Sequence, residues 1–109
     1  MTIDDAITEV TSGRATLIDV RTNEEYAEGH AKGAKNFDVS LLAEGHDPGY
    51  AKDRQLYVYC HSGGRAQHAQ TLFERMGYES VLNLGGLSSW EAAGGETASG
   101  AVCDVSYGE

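Results

Sequence analysis

Stretches typical of buried strands alternate along the chain with stretches of helical periodicity. Three mostly apolar runs predict strands, at residues 15–20, 57–60 and 80–84. Apolar residues recur near the helical period in three other segments, at residues 6–10, 66–76 and 87–93. Strands that alternate with helices pack as a mostly parallel sheet with helices on both faces. The pattern therefore predicts an α/β fold with four to five central strands.

Capping residues and glycines set the predicted ends of the helices. Thr22 and Glu25 have the spacing of a capping box, which starts a short helix that Gly29 ends. Gly77 follows the long helix where a left-handed cap would stop it. The other predicted elements are a strand at residues 35–38, a short helix at 41–43, a surface loop at 44–54 and a turn at Gly85-Gly86.

The segment around Cys60 carries the candidate chemistry. Cys60 ends the central strand and is followed by a glycine-containing loop and the start of a helix. If the loop curls around the sulfur, the backbone N–H groups of residues 61–66 point inward and form an anion-binding nest. The helix dipole and the charge of Arg65 also favour a thiolate at Cys60 and a bound anion beside it. Ligands of parallel α/β folds bind at the carboxyl ends of strands, where Cys60 lies.

The residues of this loop have different predicted roles. Ser62, Gly63 and Gly64 are expected to set the backbone shape, since glycine allows close approach and positive φ. Arg65 is expected to help form the cradle, in part through its own N–H group. His61 is expected to face solvent or to orient a substrate, because a thiolate that dipoles already stabilise needs no general base.

Cys60 also admits other interpretations. Strand-terminal cysteines are often buried and inert, but the glycine-bearing turn and the helix start favour a reactive thiol. A cysteine phosphatase or an arsenate reductase would use a similar cradle, and the familiar phosphatase signature has five residues between cysteine and arginine. This chain has four, at residues 61–64, so its ring is tighter and suits one extra sulfur better than a transferred phosphoryl group.

The loop from Cys60 to Ala66 resembles the active-site loop of the rhodanese (thiosulfate sulfurtransferase) family. Two further blocks extend the resemblance over roughly residues 14–94: residues 17–36 and residues 84–94. The resemblance implies a rhodanese-like fold and a persulfide on Cys60, formed from a sulfane-sulfur donor such as thiosulfate. The substrate-binding loop that it implies consists of His61, Ser62, Gly63, Gly64, Arg65 and Ala66.

Composition limits the partners and the compartment. The net charge of −9 argues against a nucleic-acid surface, which needs a basic stripe. No apolar run approaches membrane-spanning length, and the first residues lack the signature of a signal peptide. Two distant cysteines, Cys60 and Cys103, form no disulfide framework, which suits a reducing compartment and indicates a cytoplasmic protein. Histidines and cysteines lack metal-ligand spacing, so we expect neither a metal nor an organic cofactor.

The length of the chain indicates one domain. It suffices for a single core but not for two, and we assign that domain to residues 1–95. Residues 96–109 are acidic and rich in Gly, Ser and Ala, which predicts a flexible C-terminal tail.

Several residues outside the loop are expected to be structural. Asp19 is expected to be a satisfied buried carboxylate, and His30 a hydrogen-bonded histidine. Arg21 and Glu25 are spaced for a local ion pair. Trp90 is expected in the core, because it has helical spacing within an apolar segment.

The sequence thus predicts a sulfurtransferase that moves a sulfane sulfur through Cys60. The donor would be thiosulfate or another persulfide donor, and the acceptor a thiol or cyanide. A protein sulfur donor or acceptor is an alternative partner. The competing hypothesis from another class is a non-catalytic or partner-dependent persulfide carrier or docking module.

Overall fold

A parallel four-stranded sheet forms the centre of the molecule. The computed structural model describes residues 3–100. The strands are β1 (Ala15–Asp19), β2 (His30–Ala31), β3 (Lys35–Asn36), β4 (Gln55–Cys60), β5 (Ser80–Gly86) and β6 (Thr97–Ala98). The central sheet has the order β3-β1-β4-β5 with every pairing parallel, while β2 pairs antiparallel with β6. This confirms the predicted α/β fold.

Helices cover both faces of this sheet. They are α1 (Ile3–Thr11), α2 (Asn23–Glu28), α3 (Val39–Ala43), α4 (Gly64–Arg75) and α5 (Leu87–Ala92). Successive side chains of a strand point to opposite faces. In β4, Val58 and Cys60 therefore pack with the α3 and α4 residues, whereas Tyr57 and Tyr59 pack with those of α1 and α5. The side chain of Cys60 consequently lies on the α4 side of the sheet. Within the described residues, no helix is both long and apolar enough to cross a bilayer.

Local signals placed the start of α2 and the end of α4 correctly, whereas α3 begins at Val39, two residues before its predicted start, and Asp38, predicted to end a strand, is its N-cap. The capping box of α2 is present, with Thr22 Oγ1 accepting from the Glu25 N–H at 3.2 Å and Glu25 Oε1 accepting from the Thr22 N–H at 3.1 Å. Gly77 follows α4 with φ +101°. The predicted turn at Gly85-Gly86 is wrong, because β5 continues to Gly86, which pairs with Cys60 at the end of β4.

The beginning of the predicted tail differs from expectation. Thr97 and Ala98 form β6 against β2, beyond the predicted boundary at residue 95. The Glu96 carbonyl accepts from the Lys32 N–H at 2.9 Å and from Trp90 Nε1 at 2.7 Å. Backbone pairing fixes this segment although its sequence is polar. The rest of the predicted tail, with Cys103, lies outside the described residues.

The polar residues predicted to be structural have the expected partners, with one exception. Asp19 is fully buried and accepts from the Arg21 guanidinium at 2.7 Å and from Tyr59 Oη at 2.8 Å. His30 Nδ1 lies 2.7 Å from the Tyr26 carbonyl oxygen. The predicted pair between Arg21 and Glu25 is wrong, because the guanidinium of Arg21 folds back onto Asp19. Trp90 is buried in the core, as predicted.

Candidate active site

Cys60 lies at the carboxyl end of a central strand, where parallel α/β folds bind ligands. The residue is 1% exposed and belongs to the apolar cluster between the sheet and α4. The register between β4 and β5 shifts between Val58 and Cys60, so that Cys60 pairs with Gly86. Such an irregularity bends a strand and re-aims the side chain that follows.

Gly63 makes the backbone contact with the sulfur. Its N–H group donates to Cys60 Sγ at 2.9 Å. Gly63 has φ +98° and is the N-cap residue of α4, which begins at the next residue. A side chain would be strained in this left-handed conformation, so glycine is required where the chain turns from the sulfur into the helix.

The start of α4 adds further donors near Cys60. The Gln67 N–H donates to the Gly63 carbonyl at 2.9 Å, which is the first backbone hydrogen bond of the helix. The N–H groups of residues 64–66 precede that bond and have no acceptor inside the helix. With the positive end of the helix dipole they form an electropositive environment that can attract an anion.

The end of β5 supports the loop from behind. A Cβ atom on Gly86 would lie 2.1 Å from the His61 carbonyl oxygen, and one on Gly63 would lie 3.5 Å from Gly85 Cα. Asn83 Nδ2 donates to the Gly63 carbonyl at 3.1 Å, and Asn83 Oδ1 accepts from the Gly85 N–H at 2.7 Å. Sequence reasoning missed Asn83, whose signal was one amide within the apolar run 80–84.

Arg65 forms a bidentate ion pair with Glu25. The distances are 2.6 Å between Nη1 and Oε1 and 3.0 Å between Nη2 and Oε2. The hydrogen bonds from Arg65 lower the pKa of Glu25 to about 2, and the same pair raises the pKa of Arg65. The guanidinium therefore joins the start of α4 to α2, and its charge is balanced. Sequence reasoning missed this pair because Glu25 and Arg65 are distant along the chain.

The remaining loop residues are placed as follows. His61 and Ser62 are exposed, and Ala66 is buried against the core. Gly64 has no positive φ and would leave open space around a Cβ atom, so the backbone argument applies to Gly63 and not to Gly64. Among residues 3–100, no cluster of three or more His, Cys, Asp or Glu side chains could hold a metal ion.

A cavity lies away from this loop. It has a volume of about 420 Å³ and is bordered by Ile7 and Val10 of α1, Trp90 of α5, and the Lys32 and Glu96 side chains. Lys32 and Glu96 pair with each other at its rim at 3.4 Å. None of the residues from Cys60 to Ala66 lines it, so the candidate site is marked by the loop and not by the cavity.

Comparison with known proteins identifies the family. A model of the rhodanese-like domain matches residues 2–93. This chain belongs to the rhodanese-like family. The resemblance of its three sequence blocks is thereby confirmed, and within this rhodanese-like domain the Cys60 loop and the Gly85-Gly86 block meet at one edge of the sheet.

Individual relatives agree with this assignment. Protein HIGH ARSENIC CONTENT 1, mitochondrial, from Arabidopsis thaliana is 37% identical over 71% of this chain, which spans only 53% of that relative's length. Thiosulfate sulfurtransferase GlpE from Shewanella oneidensis is 35% identical over 71% of this chain and 76% of its own. The human single-domain sulfurtransferase TSTD1 superposes with a TM-score of 0.75 at 28% identity, covering 84% of this chain and 94% of the human one. The similarity to the two sulfurtransferases supports sulfur transfer as the general chemistry of this rhodanese-like domain.

Proposed function

We propose that the protein is a sulfurtransferase that takes a sulfane sulfur from thiosulfate and carries it on Cys60. The observation that carries this proposal is the hydrogen bond that the Cys60 sulfur accepts from the N–H group of Gly63, the N-cap residue of α4. That N–H group and the helix N-terminus can both stabilise the negative charge of a persulfide on Cys60. Membership of the rhodanese-like family supports the same chemistry.

The reaction with thiosulfate would proceed in two balanced steps. The Cys60 thiolate attacks the outer sulfur of thiosulfate, a sulfur–sulfur bond forms on the protein, and sulfite leaves with the electron pair of the broken bond. Cyanide or a thiolate then attacks the outer sulfur of the persulfide. Thiocyanate or a new persulfide leaves, and the electron pair returns to Cys60 as its thiolate. Neither step needs a metal or an organic cofactor.

The size of the ring favours sulfur over phosphoryl transfer. Four residues separate Cys60 from Arg65, and the guanidinium of Arg65 is engaged by Glu25. A phosphoryl group needs a wide ring of donors and a free positive charge. A single outer sulfur needs only the N–H groups next to Sγ.

Two other functions have to be distinguished from sulfur transfer with thiosulfate. The name of the Arabidopsis relative refers to arsenic, so arsenate reduction by a thiol is the second candidate reaction. A partner-dependent persulfide carrier would need a protein donor in place of thiosulfate. A cytoplasmic location, which we also propose, would keep the Cys60 thiol reduced and supply low-molecular-weight thiols as acceptors.

The test is intact-mass analysis of the protein after incubation with thiosulfate. We expect one added sulfur atom that maps to Cys60 and is released by cyanide as thiocyanate. Cys103→Ser is the matched control, since it removes the other cysteine and should retain the added sulfur. Cys60→Ser should lose both the added sulfur and the thiocyanate.

Three results would contradict the proposal. Turnover of thiosulfate by Cys60→Ser would exclude Cys60 as the sulfur carrier. Loading from a persulfidated protein but not from thiosulfate would assign the partner-dependent carrier. Cysteine-dependent release of phosphate from an aryl phosphate, or reduction of arsenate without any loading, would move the protein to the rival reaction.

A further inference from the structure

Asn83 lies on β5 with its side-chain amide between two backbone groups. Its Nδ2 donates to the Gly63 carbonyl at 3.1 Å, and its Oδ1 accepts from the Gly85 N–H at 2.7 Å. One contact reaches the loop after Cys60 and the other fixes the amide on its own strand. The two bonds use both ends of the amide, one as donor and one as acceptor.

The amide orientation is set by these neighbours. A rotated amide would place its NH₂ group against the Gly85 N–H and its oxygen against the Gly63 carbonyl, which gives two repulsive contacts. The assigned orientation is therefore the only one that satisfies both backbone groups. Gly85 has a positive φ of +90°, and its N–H group donates to the side chain two residues earlier.

Gly63 is held through both of its peptide groups. The peptide group before it donates to Cys60 Sγ, and the peptide group after it accepts from Asn83 and from the Gln67 N–H. Glycine has a wide choice of backbone conformations, so a left-handed φ of +98° persists only where contacts select it. Asn83 is a side chain that makes this selection from a neighbouring strand.

We propose that Asn83 is a positioning residue of the active site. It holds Gly63 in the conformation that directs the N–H group at the Cys60 sulfur, and its own side-chain hydrogen bonds go to backbone groups and not to the sulfur. This inference rests on the proposed function for its biological meaning, but the hydrogen bond to the sulfur exists whether or not thiosulfate is the donor.

The test compares Asn83→Ala with Gln70→Ala, both in a Cys103→Ser background. Gln70 Nε2 donates to the Val81 carbonyl of the same strand at 2.9 Å, so its loss removes a similar amide hydrogen bond away from the sulfur. The rate of alkylation of Cys60 by iodoacetamide is measured as a function of pH. For Asn83→Ala we expect the alkylation rate at acidic pH, divided by the rate on the alkaline plateau, to be about tenfold lower than in the parent. A tenfold change is the size expected when a hydrogen bond to a charged group is lost. For Gln70→Ala we expect no such change.

A second readout follows the loop directly. Amide hydrogen exchange at Gly63 should accelerate in Asn83→Ala, and the β4 amides should keep their protection. If Asn83→Ala does not fold, Asn83→Ser replaces it with the same expectations, since its hydroxyl is one atom too short to reach both backbone groups. An unchanged alkylation profile, or an equal change in Gln70→Ala, would overturn the proposal. Failure of thiosulfate loading in the parent protein would overturn the proposed function and leave this test intact.

Discussion

Replacement of Gly86 by alanine tests how the end of β5 shapes the Cys60 loop. The added Cβ atom would lie 2.1 Å from the His61 carbonyl oxygen and 3.0 Å from its carbonyl carbon. The backbone of Gly86 is extended, with φ −111° and ψ 168°, so alanine is conformationally allowed there. The effect is therefore purely one of space. The backbone at His61 would have to retreat by about 1 Å or more to restore an ordinary contact.

That displacement has a cost and a local consequence. Overpacking of this kind destabilises a protein by about 1–3 kcal/mol. Because His61 follows Cys60 directly, the same movement shifts the loop that carries the Gly63 N–H group. We expect Gly86→Ala to lower the free energy of unfolding by about 2 kcal/mol and to slow sulfur loading of Cys60 by about tenfold or more.

The assay pairs urea denaturation with the mass measurement of thiosulfate loading. Gly29→Ala is the matched control, because Gly29 has an extended φ of 169° and no atom within 4 Å of an added Cβ. We expect its free energy of unfolding to stay within about 0.5 kcal/mol of the parent. If Gly86→Ala matched the parent in both stability and loading, the close approach of β5 to His61 would have no part in forming the site.

Two further substitutions test charge and helix propensity. The hydrogen bonds from Arg65 lower the pKa of Glu25 from 4.5 to about 2. The ion pair therefore stabilises the fold fully at pH values above about 4.5, and this stabilisation is lost as the pH falls through about 2. Glu25→Gln keeps the capping-box acceptor. It should lower the free energy of unfolding by about 1 kcal/mol at neutral pH, after screening of this partly exposed pair, and should match the parent near pH 2 in urea denaturation. A difference that stayed constant with pH would contradict the ion-pair assignment. Gly64→Ala should raise the free energy of unfolding by about 0.5–1 kcal/mol in the same assay, because Gly64 is helical and an added Cβ would meet open space. A loss of stability would mean that this position needs glycine.

Local signals in the sequence predicted the parts of the fold that depend on neighbouring residues. The capping box of Thr22 and Glu25 and the glycine that ends α4 are set by side chains within one helical turn. The burial of β4 on both faces follows from its uninterrupted apolar run. These features require no knowledge of the rest of the chain.

Features that depend on distant residues were missed or predicted wrongly. Spacing suggested that Glu25 pairs with Arg21, but the fold brings the distant Arg65 to Glu25, and Arg21 pairs with its near neighbour Asp19 instead. The glycines at the end of β5 predicted a turn because a glycine pair usually marks one. In the structure, Gly86 stays in the strand through its pairing with Cys60, and the position requires glycine because the His61 carbonyl leaves no room for a side chain. Pairing of β6 with β2 could not be predicted either, since it consists of backbone bonds between two-residue strands, which are too short to show an alternating pattern.

The charge distribution constrains how a donor would be captured by the Cys60 loop. The chain carries a net charge of −9, and the Arg65 charge at the loop is balanced by Glu25. Attraction of an anion would then depend mainly on the N–H groups of Gly63 and of the first turn of α4, and a helix dipole acts only within about one turn. In the proposed function, a donor must therefore bring its sulfur into contact with the loop before it gains any stabilisation. This favours donors with an exposed terminal sulfur, such as thiosulfate or a persulfide side chain, over bulky anions guided by long-range charge.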